Sequence, residues 1–426
     1  MTAGTLLVFS TIISSSLSFP TTAWPAKGEA RKLSTHAAVN ASFFDWQKDG
    51  QPAQWANSYP KTWDSEIVKY TQPSPSYLTT AGPGSVTPDG NLLIMGNTTN
   101  IRITDLATGN TTADFAVEGA ELMNRMRSIT APSGGYSLIV TFQLDYENKT
   151  LQEYTLSLSG IPSSTPISRE GGSTAFEAHP FSNDGRYFAA HRDEGRIYSL
   201  SDPDYALTLS RYTFDLIGAD WSSDGATIAT AGFDGVGKLW DAHTGTFIRD
   251  IYAGVNAWNV QFSLDGKHIA TGGEDQTVRI YTTGGNFTSE PIATFDGFPD
   301  WVRSLEWSPK GDFLAGGGWD QVQVYSMAEE RVVQKREGEA GSGQDASEVK
   351  DLVWLDGGRK IAYRVFAGLE VYNFDANLKY RWGRGEEDDF VVGVDYVQTW
   401  FLPEKGWAGG FDPDHAVRFW EFDAEA

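Results

Sequence analysis

The chain has 426 residues, 40% of them hydrophobic and 13% aromatic, which is enough to build a real core and excludes a globally disordered chain. A formal net charge of −23, with 33 Lys and Arg scattered among 56 Asp and Glu, sets a repulsive field against a phosphate backbone and argues against nucleic acid as a partner. There is no cysteine, so disulfides, thiol nucleophiles, iron–sulfur clusters and cysteine zinc sites are excluded together; 45 Gly and 18 Pro spread along the chain favour short strands joined by many turns.

In chain order, the first predicted element is the apolar run "TLLVFSTII", Thr5 to Ile13, followed by small residues at Thr21 and Ala23 in "TTAWPA". This pattern predicts a signal peptide over residues 1–23 and a secreted or secretory-pathway protein; the same run read as a β-branched strand leaves a cytoplasmic protein as the alternative. Five N-x-S/T sequons, at Asn40, Asn97, Asn110, Asn148 and Asn286, fit the exported reading. Residues 24–62 share no pattern with the rest of the chain and read as an N-terminal arm or loop outside a repeating body over 63–426. No run reaches the roughly 18 apolar residues of a membrane span.

The body is built from one unit used repeatedly. The segments "ADWSSDGATIATAGFDGVGKLWD" from Ala219, "VQFSLDGKHIATGGEDQTVRIY" from Val260 and "LEWSPKGDFLAGGGWDQVQVY" from Leu305 align. Each has a strand ending in an aromatic and Ser, a glycine turn, a strand of small residues, an acidic turn, and a third strand ending in an aromatic. Weaker copies flank them, with turn anchors near Gly90, Gly134, Gly185, Gly225, Gly266, Gly311, Gly357 and Lys405, about 40 to 50 residues apart. That spacing predicts an all-β fold, a single closed β-propeller of four-stranded blades: eight blades from the eight anchors, or seven if the copy around "APSGG" is incomplete. The last copy ends after its third strand at "AVRFWEF", so "SEIVKY", Ser65 to Tyr70, is expected to supply the fourth and close the ring without exposed sheet edges. The segment "KREGEAGSGQDASEVK", Lys335 to Lys350, reads as a long inter-blade loop.

From Tyr77 to Phe422 the chain resembles the WD-repeat β-propeller family, most clearly where "GKLWD" is followed by "AHTG". The family commonly has a Gly-His pair before each blade whose His locks the turn Asp. Here Phe298 stands where that His would fall, and packing is expected to replace the lock. The resemblance implies a scaffold for protein interaction, and no cofactor.

Each copy places an Asp in the turn between its second and third strands: Asp234, Asp275, Asp320 and Asp412 are expected to accept hydrogen bonds and hold that turn. Beside them stand large residues the blade does not need, Phe233, Trp319 and Phe411. The resemblance implies that residues preceding each first strand reach the same channel face, and here that set includes Trp258, Trp301 and Arg303. Trp and Arg combine contact area with directional hydrogen bonding, so these six form the candidate partner- or ligand-binding face; packing between blades is the alternative for the aromatics. Third-strand cations Arg102, Arg196, Lys238, Arg279 and Arg418 are expected to pair with carboxylates of the next blade, with Gln323 and Glu370 breaking the series. The acidic stretches "GRGEEDDF" and "FDPDHAV" read as solvated loops, not metal sites, and His191 as a satisfied turn residue. No nucleophile elbow, zinc-protease helix, phosphate loop or dinucleotide fingerprint is present, so no catalytic residue is assigned. The function expected is a non-catalytic scaffold binding a basic or amphipathic protein or peptide. The alternatives are a propeller enzyme acting without covalent catalysis on a small apolar substrate in an aromatic-lined channel, and an exported carbohydrate-binding propeller.

Overall fold

The computed structural model describes residues 45–62, 65–71, 84–96, 99–118, 122–143, 149–162, 166–170, 173–174, 180–191, 195–210, 216–252, 255–284, 290–319, 321–337, 349, 352–365, 368–383, 399–402, 405–411 and 416–421. Among them the structure is almost wholly β, with one 3-10 turn at Asp356–Gly358 and no helix long and apolar enough to cross a membrane. Eight antiparallel sheets follow one another along the chain, each a meander of neighbouring strands. Blades one to seven begin at Gly84, Leu122, Ser173, Leu216, Ala257, Ser304 and Leu352. The eighth, Thr399–Leu402, Trp407–Phe411 and Ala416–Glu421, takes its fourth strand from Val68–Thr71, which pairs antiparallel with Ala416–Phe419. The ring is thus closed as the sequence predicts. The copy around "APSGG" is a complete blade of four strands, Leu122–Thr130, Tyr136–Gln143, Lys149–Leu156 and Ile167–Glu170, which decides for eight.

The glycine anchors mark the turn between first and second strands. In "SSDGAT" the Ser222 hydroxyl donates to Asp224 Oδ1 (2.6 Å) and accepts from the Thr227 amide (2.9 Å), while Asp224 Oδ1 also accepts from the Ala226 amide (3.0 Å). Gly225 sits at φ +69°, where an L side chain is strained. Ser182 with Asp184, Ser263 with Asp265 and Thr87 with Asp89 repeat the arrangement. In the eighth blade the left-handed residue is Gly406, at φ +62°, one past the predicted Lys405.

The second strands are rich in small and apolar residues because both faces of each sheet are covered by neighbouring blades. One apolar cluster fills each junction. Ile94 and Ile101 of blade one meet Leu138 and Val140 of blade two, and Ile139 and Leu151 meet Phe188 and Ala190 of blade three. Ala189 and Ile197 meet Trp221 and Ile228, and Ala229 and Leu239 meet Val260 and Ile269. Ala270 and Ile280 meet Leu305 and Leu314, Ala315 and Val324 meet Trp354 and Ile361, and Ala362 and Val371 meet Ala408 and Trp420. Leu402, Val417 and Phe419 then return to Leu93 and Met95 of blade one. With no disulfide available, this unbroken circuit of buried surface carries the stability. The first-strand tryptophans add directional links: the indoles of Trp221, Trp307 and Trp354 donate to the carbonyls of Pro180, Gln261 and Glu306 in the preceding blade (3.2, 3.3 and 2.9 Å).

Phe298, in the place of the family's His, is buried and packs beside Phe295. Its ring explains the glycines of "AGGGWD": a Cβ on Gly316 would lie 2.9 Å from Phe298 Cζ, and one on Gly318 3.0 Å from Cδ1.

Residues 45–62 run along the outer edge of blade seven. After a hairpin of Gln47–Lys48 with Gln51–Pro52, Gln54–Trp55 pairs in parallel with Leu378–Lys379, and Lys61–Thr62 with Trp382–Gly383. Trp46 is fully buried, stacked on Tyr372 (4.7 Å between centroids, 8° between planes), and its indole donates to the Tyr363 hydroxyl (2.7 Å). That hydroxyl donates in turn to Glu370 Oε2 (2.7 Å), whose other oxygen faces Arg336 of blade six (3.1 Å). Burial alone would raise the Glu370 carboxyl, but Arg336 and Arg381 outweigh it and hold it below its ordinary value.

Candidate functional site

The structure assembles four of the six candidate residues at one end of the ring, across blades four, five and six. Phe233 lies at the end of Thr227–Gly232, in the turn before Val236–Asp241; Trp258 is on the first strand of blade five; Trp301 and Arg303 precede the first strand of blade six. Backbone bonds hold the last two there: the Val302 amide donates to Gly273 O (3.0 Å), the Arg303 amide to Gly317 O (2.7 Å), and the Asn259 amide group to Val302 O (3.2 Å). A Cβ on Gly273 would lie 2.8 Å from both Val255 O and Asn256 O, so this approach of blade five's entry loop to its second strand needs a glycine.

The rings of Trp258 and Trp301 stack (5.5 Å, 17°), Phe233 meets Trp258 edge-on (5.5 Å, 89°), and the Arg303 guanidinium lies 4.1 Å from the Trp258 ring centroid and 5.7 Å from that of Trp301. Arg303 is buried, the two tryptophans are partly exposed, and Phe233 is 44% exposed. The cation beneath the rings fixes their orientation, and rotamers held this way lose little freedom when a partner covers them. Trp319 lies in the next turn, partly buried, and makes no ring contact with this stack among the described residues. Phe411 ends the second strand of blade eight, and its side chain lies outside the described residues.

The turn acids differ in what closes them. Asp234 accepts from the Val236 amide (3.1 Å) and pairs with Lys238; Asp275 pairs with Arg279 (2.6 Å). Both cations belong to the acid's own blade, four residues on. Arg102 likewise pairs with Asp114 (2.7 Å), and Arg418 with Glu66 (3.5 Å) beside the ring-closing strand. This corrects the expectation of pairing with the next blade: the third-strand side chain points back along its own sheet face to the turn it leaves or to the adjoining fourth strand. Asp320 and Asp412 lie outside the described residues, as do 1–44, 338–348 and 384–390, where the sequence predicts a signal peptide, the core of the long inter-blade loop and the first acidic stretch; the same holds for Asn40, Asn97, Asn148 and Asn286 and for the His191 side chain. Asn110 is exposed in the turn before the fourth strand of blade one.

Two features escaped the sequence reading. Glu274, next to Asp275, accepts from the Asn256 amide group (2.7 Å) and from the Trp258 indole (3.3 Å), and so sits at the edge of the ring stack. Deeper on the same inner strands lies a polar ladder. Asp220 Oδ2 accepts from the Phe262 amide (2.6 Å), Gln261 Oε1 from the Trp307 amide (3.2 Å), and Gln261 donates to Glu306 Oε2 (2.9 Å). Burial pushes the Asp220 carboxyl up to about 8 and that of Glu306 up to about 7. The recurrence of Asp, Gln and Glu two residues before each turn Ser was the available signal, visible once first strands are known to be innermost.

With this geometry in view, comparison with known proteins gives a consistent answer. The profile of the family described as "WD domain, G-beta repeat" matches residues 205–241, 245–282 and 289–322. Each match begins near the fourth strand of one blade and runs into the third strand of the next, the same phase that leaves blade eight to borrow a strand. Protein HIR1 of Cryptococcus neoformans is 33% identical over 129 residues, 29% of this chain and 14% of the relative. The F-box-like/WD repeat-containing protein TBL1X of Mus musculus is 26% identical over 137 residues (32% and 25%), and the human angio-associated migratory cell protein 25% identical over 262 (55% and 59%). The chain therefore spans less than two thirds of each of these relatives. Eight meander blades, the strand-borrowing closure and the profile matches together describe an eight-bladed β-propeller that carries WD-type repeats over residues 205–322.

Proposed function

We propose that the protein is a non-catalytic interaction scaffold that docks a basic or amphipathic protein or peptide on the end of the ring formed by blades four to six. The observation that carries this reading is the Phe233–Trp258–Trp301 stack held on Arg303: contact area of hot-spot type on a rigid base, drawn from three blades. Its ring-on-ring packing favours a surface over a substrate-filled channel. The net charge of −23 steers cationic partners toward it. Among the relatives, some are named for nuclear distribution and ribosome biogenesis, which supports work inside the cell over export.

The test is site-directed photo-crosslinking in cells, with the crosslinking residue at Phe233 or at Ile292, an exposed position in a turn at the opposite end of blade five. A crosslinked polypeptide is expected from position 233 and is lost on Trp301→Ala. Crosslinks confined to position 292, or unchanged by Trp301→Ala, would move the docking face elsewhere.

A further inference from the structure

We infer that Glu274 makes this face selective for a partner segment that presents a lysine or arginine side chain at the edge of the ring stack. The inference rests on the docking reading above and adds the chemical group that is read.

The contrast lies inside one turn. Asp275 and Glu274 are adjacent, yet Asp275 is neutralised by Arg279, whereas no cation pairs with Glu274 among the described residues. Lys238 is likewise engaged by Asp234, and Arg303 lies over the tryptophan rings. The hydrogen bonds from Asn256 and Trp258 orient the Glu274 carboxylate without cancelling its charge, and a carboxylate with two donors has further lone pairs to offer. Its backbone is fixed as well: the Glu274 amide donates to Val255 O (3.0 Å), and Asn256 takes a left-handed φ of +44° to bring its side chain round. A preorganised anion next to partly exposed rings matches a long cationic side chain, whose head pairs with the carboxylate while its methylene stem lies on Trp301 and Phe233. An acidic or purely apolar segment leaves the Glu274 charge desolvated and unpaired, which disfavours it.

The test uses the full chain with 15N-labelled tryptophan, titrated with N-acetyl-arginine amide and with its uncharged counterpart N-acetyl-norleucine amide, reading the indole resonances of Trp258 and Trp301. The arginine probe is expected to bind about tenfold more tightly than norleucine, the combined effect of one partly exposed ion pair and one ring contact. Glu274→Gln, whose amide oxygen keeps one of the two hydrogen bonds, is expected to erase that preference while the propeller stays folded, with thermal unfolding still cooperative. Equal binding of both probes, or an arginine preference that survives Glu274→Gln, overturns the inference while leaving the docking reading to the crosslinking result. Silence of both indoles toward both probes overturns it too. Absence of any crosslink from position 233 in the otherwise wild-type chain, alongside any of these results, is the mark of the docking reading failing as well.

Discussion

Blades four and five and blade seven solve the same problem in opposite ways. In blades four and five the third-strand cation is closed off four residues away, Lys238 by Asp234 and Arg279 by Asp275, so each blade settles its charges locally. Blade seven carries Glu370 in its third strand and depends on Arg336 from blade six, Arg381 from its own fourth strand, and a hydroxyl that Trp46 anchors from far away in sequence. A blade that keeps the repeat pairs its third-strand charge within its own sheet; blade seven, which departs from it, takes a partner from blade six.

Three substitutions probe that contrast. Trp46→Ala should have the largest effect, because it removes a buried stack and the hydrogen bond to Tyr363 together. A loss of about 4 kcal/mol in urea unfolding is expected, with hydrogen exchange rising first along Leu378–Gly383. Protection unchanged in that strand would show that blade seven stands without its outer segment. Next, Arg336→Met should cost about 3 kcal/mol by taking the nearer of two cations from a buried carboxylate, whereas Lys238→Met should cost less, about 2 kcal/mol, because the Asp234 side chain is more exposed than that of Glu370 and keeps its backbone donor. Equal losses would erase the distinction between the two blades.

The remaining effect concerns pH. The unfolded Asp220 carboxyl releases its proton near 3.8, the folded one near 8, so between these values the folded state holds a proton the unfolded chain has lost. Stability therefore falls as pH rises through that window, and Glu306 adds to the slope up to about 7. Asp220→Asn, whose side-chain oxygen can still accept from the Phe262 amide, should flatten the dependence and gain on the order of 2 kcal/mol at pH 8. A variant with the wild-type slope would place the proton elsewhere.

How much of this was legible depends on the range of each interaction. The turn glycines, the eight-fold repeat and the borrowed strand are written in short motifs at fixed spacing, so the sequence reading reaches them. Phe233, Trp258, Trp301 and Arg303 could be nominated because homologous positions in a repeat share one end of the ring, but their mutual stacking could not. Trp46 was hidden because an irregular segment pairing in parallel with a distant strand leaves no period. Glu274 was overlooked because it looks like its neighbour Asp275, and only the positions of Arg279 and Asn256 tell the two apart. Asp220 and Glu306 were hidden in strands whose alternation reads as an ordinary solvent-facing pattern.

The borrowed strand also sets a timetable. Val68–Thr71 is made before the first blade, yet its partner Ala416–Phe419 only after the seventh. At roughly 5–20 residues per second, that strand waits on the order of tens of seconds with its edge unpaired. During that interval seven blades can stack as an open arc whose two end faces, lined by Leu93 and Met95 on one side and Ala362 and Val371 on the other, are bare. The newborn chain is therefore most prone to join another chain just before its eighth blade is made, and holding that arc apart from its neighbours is the service a chaperone would render it.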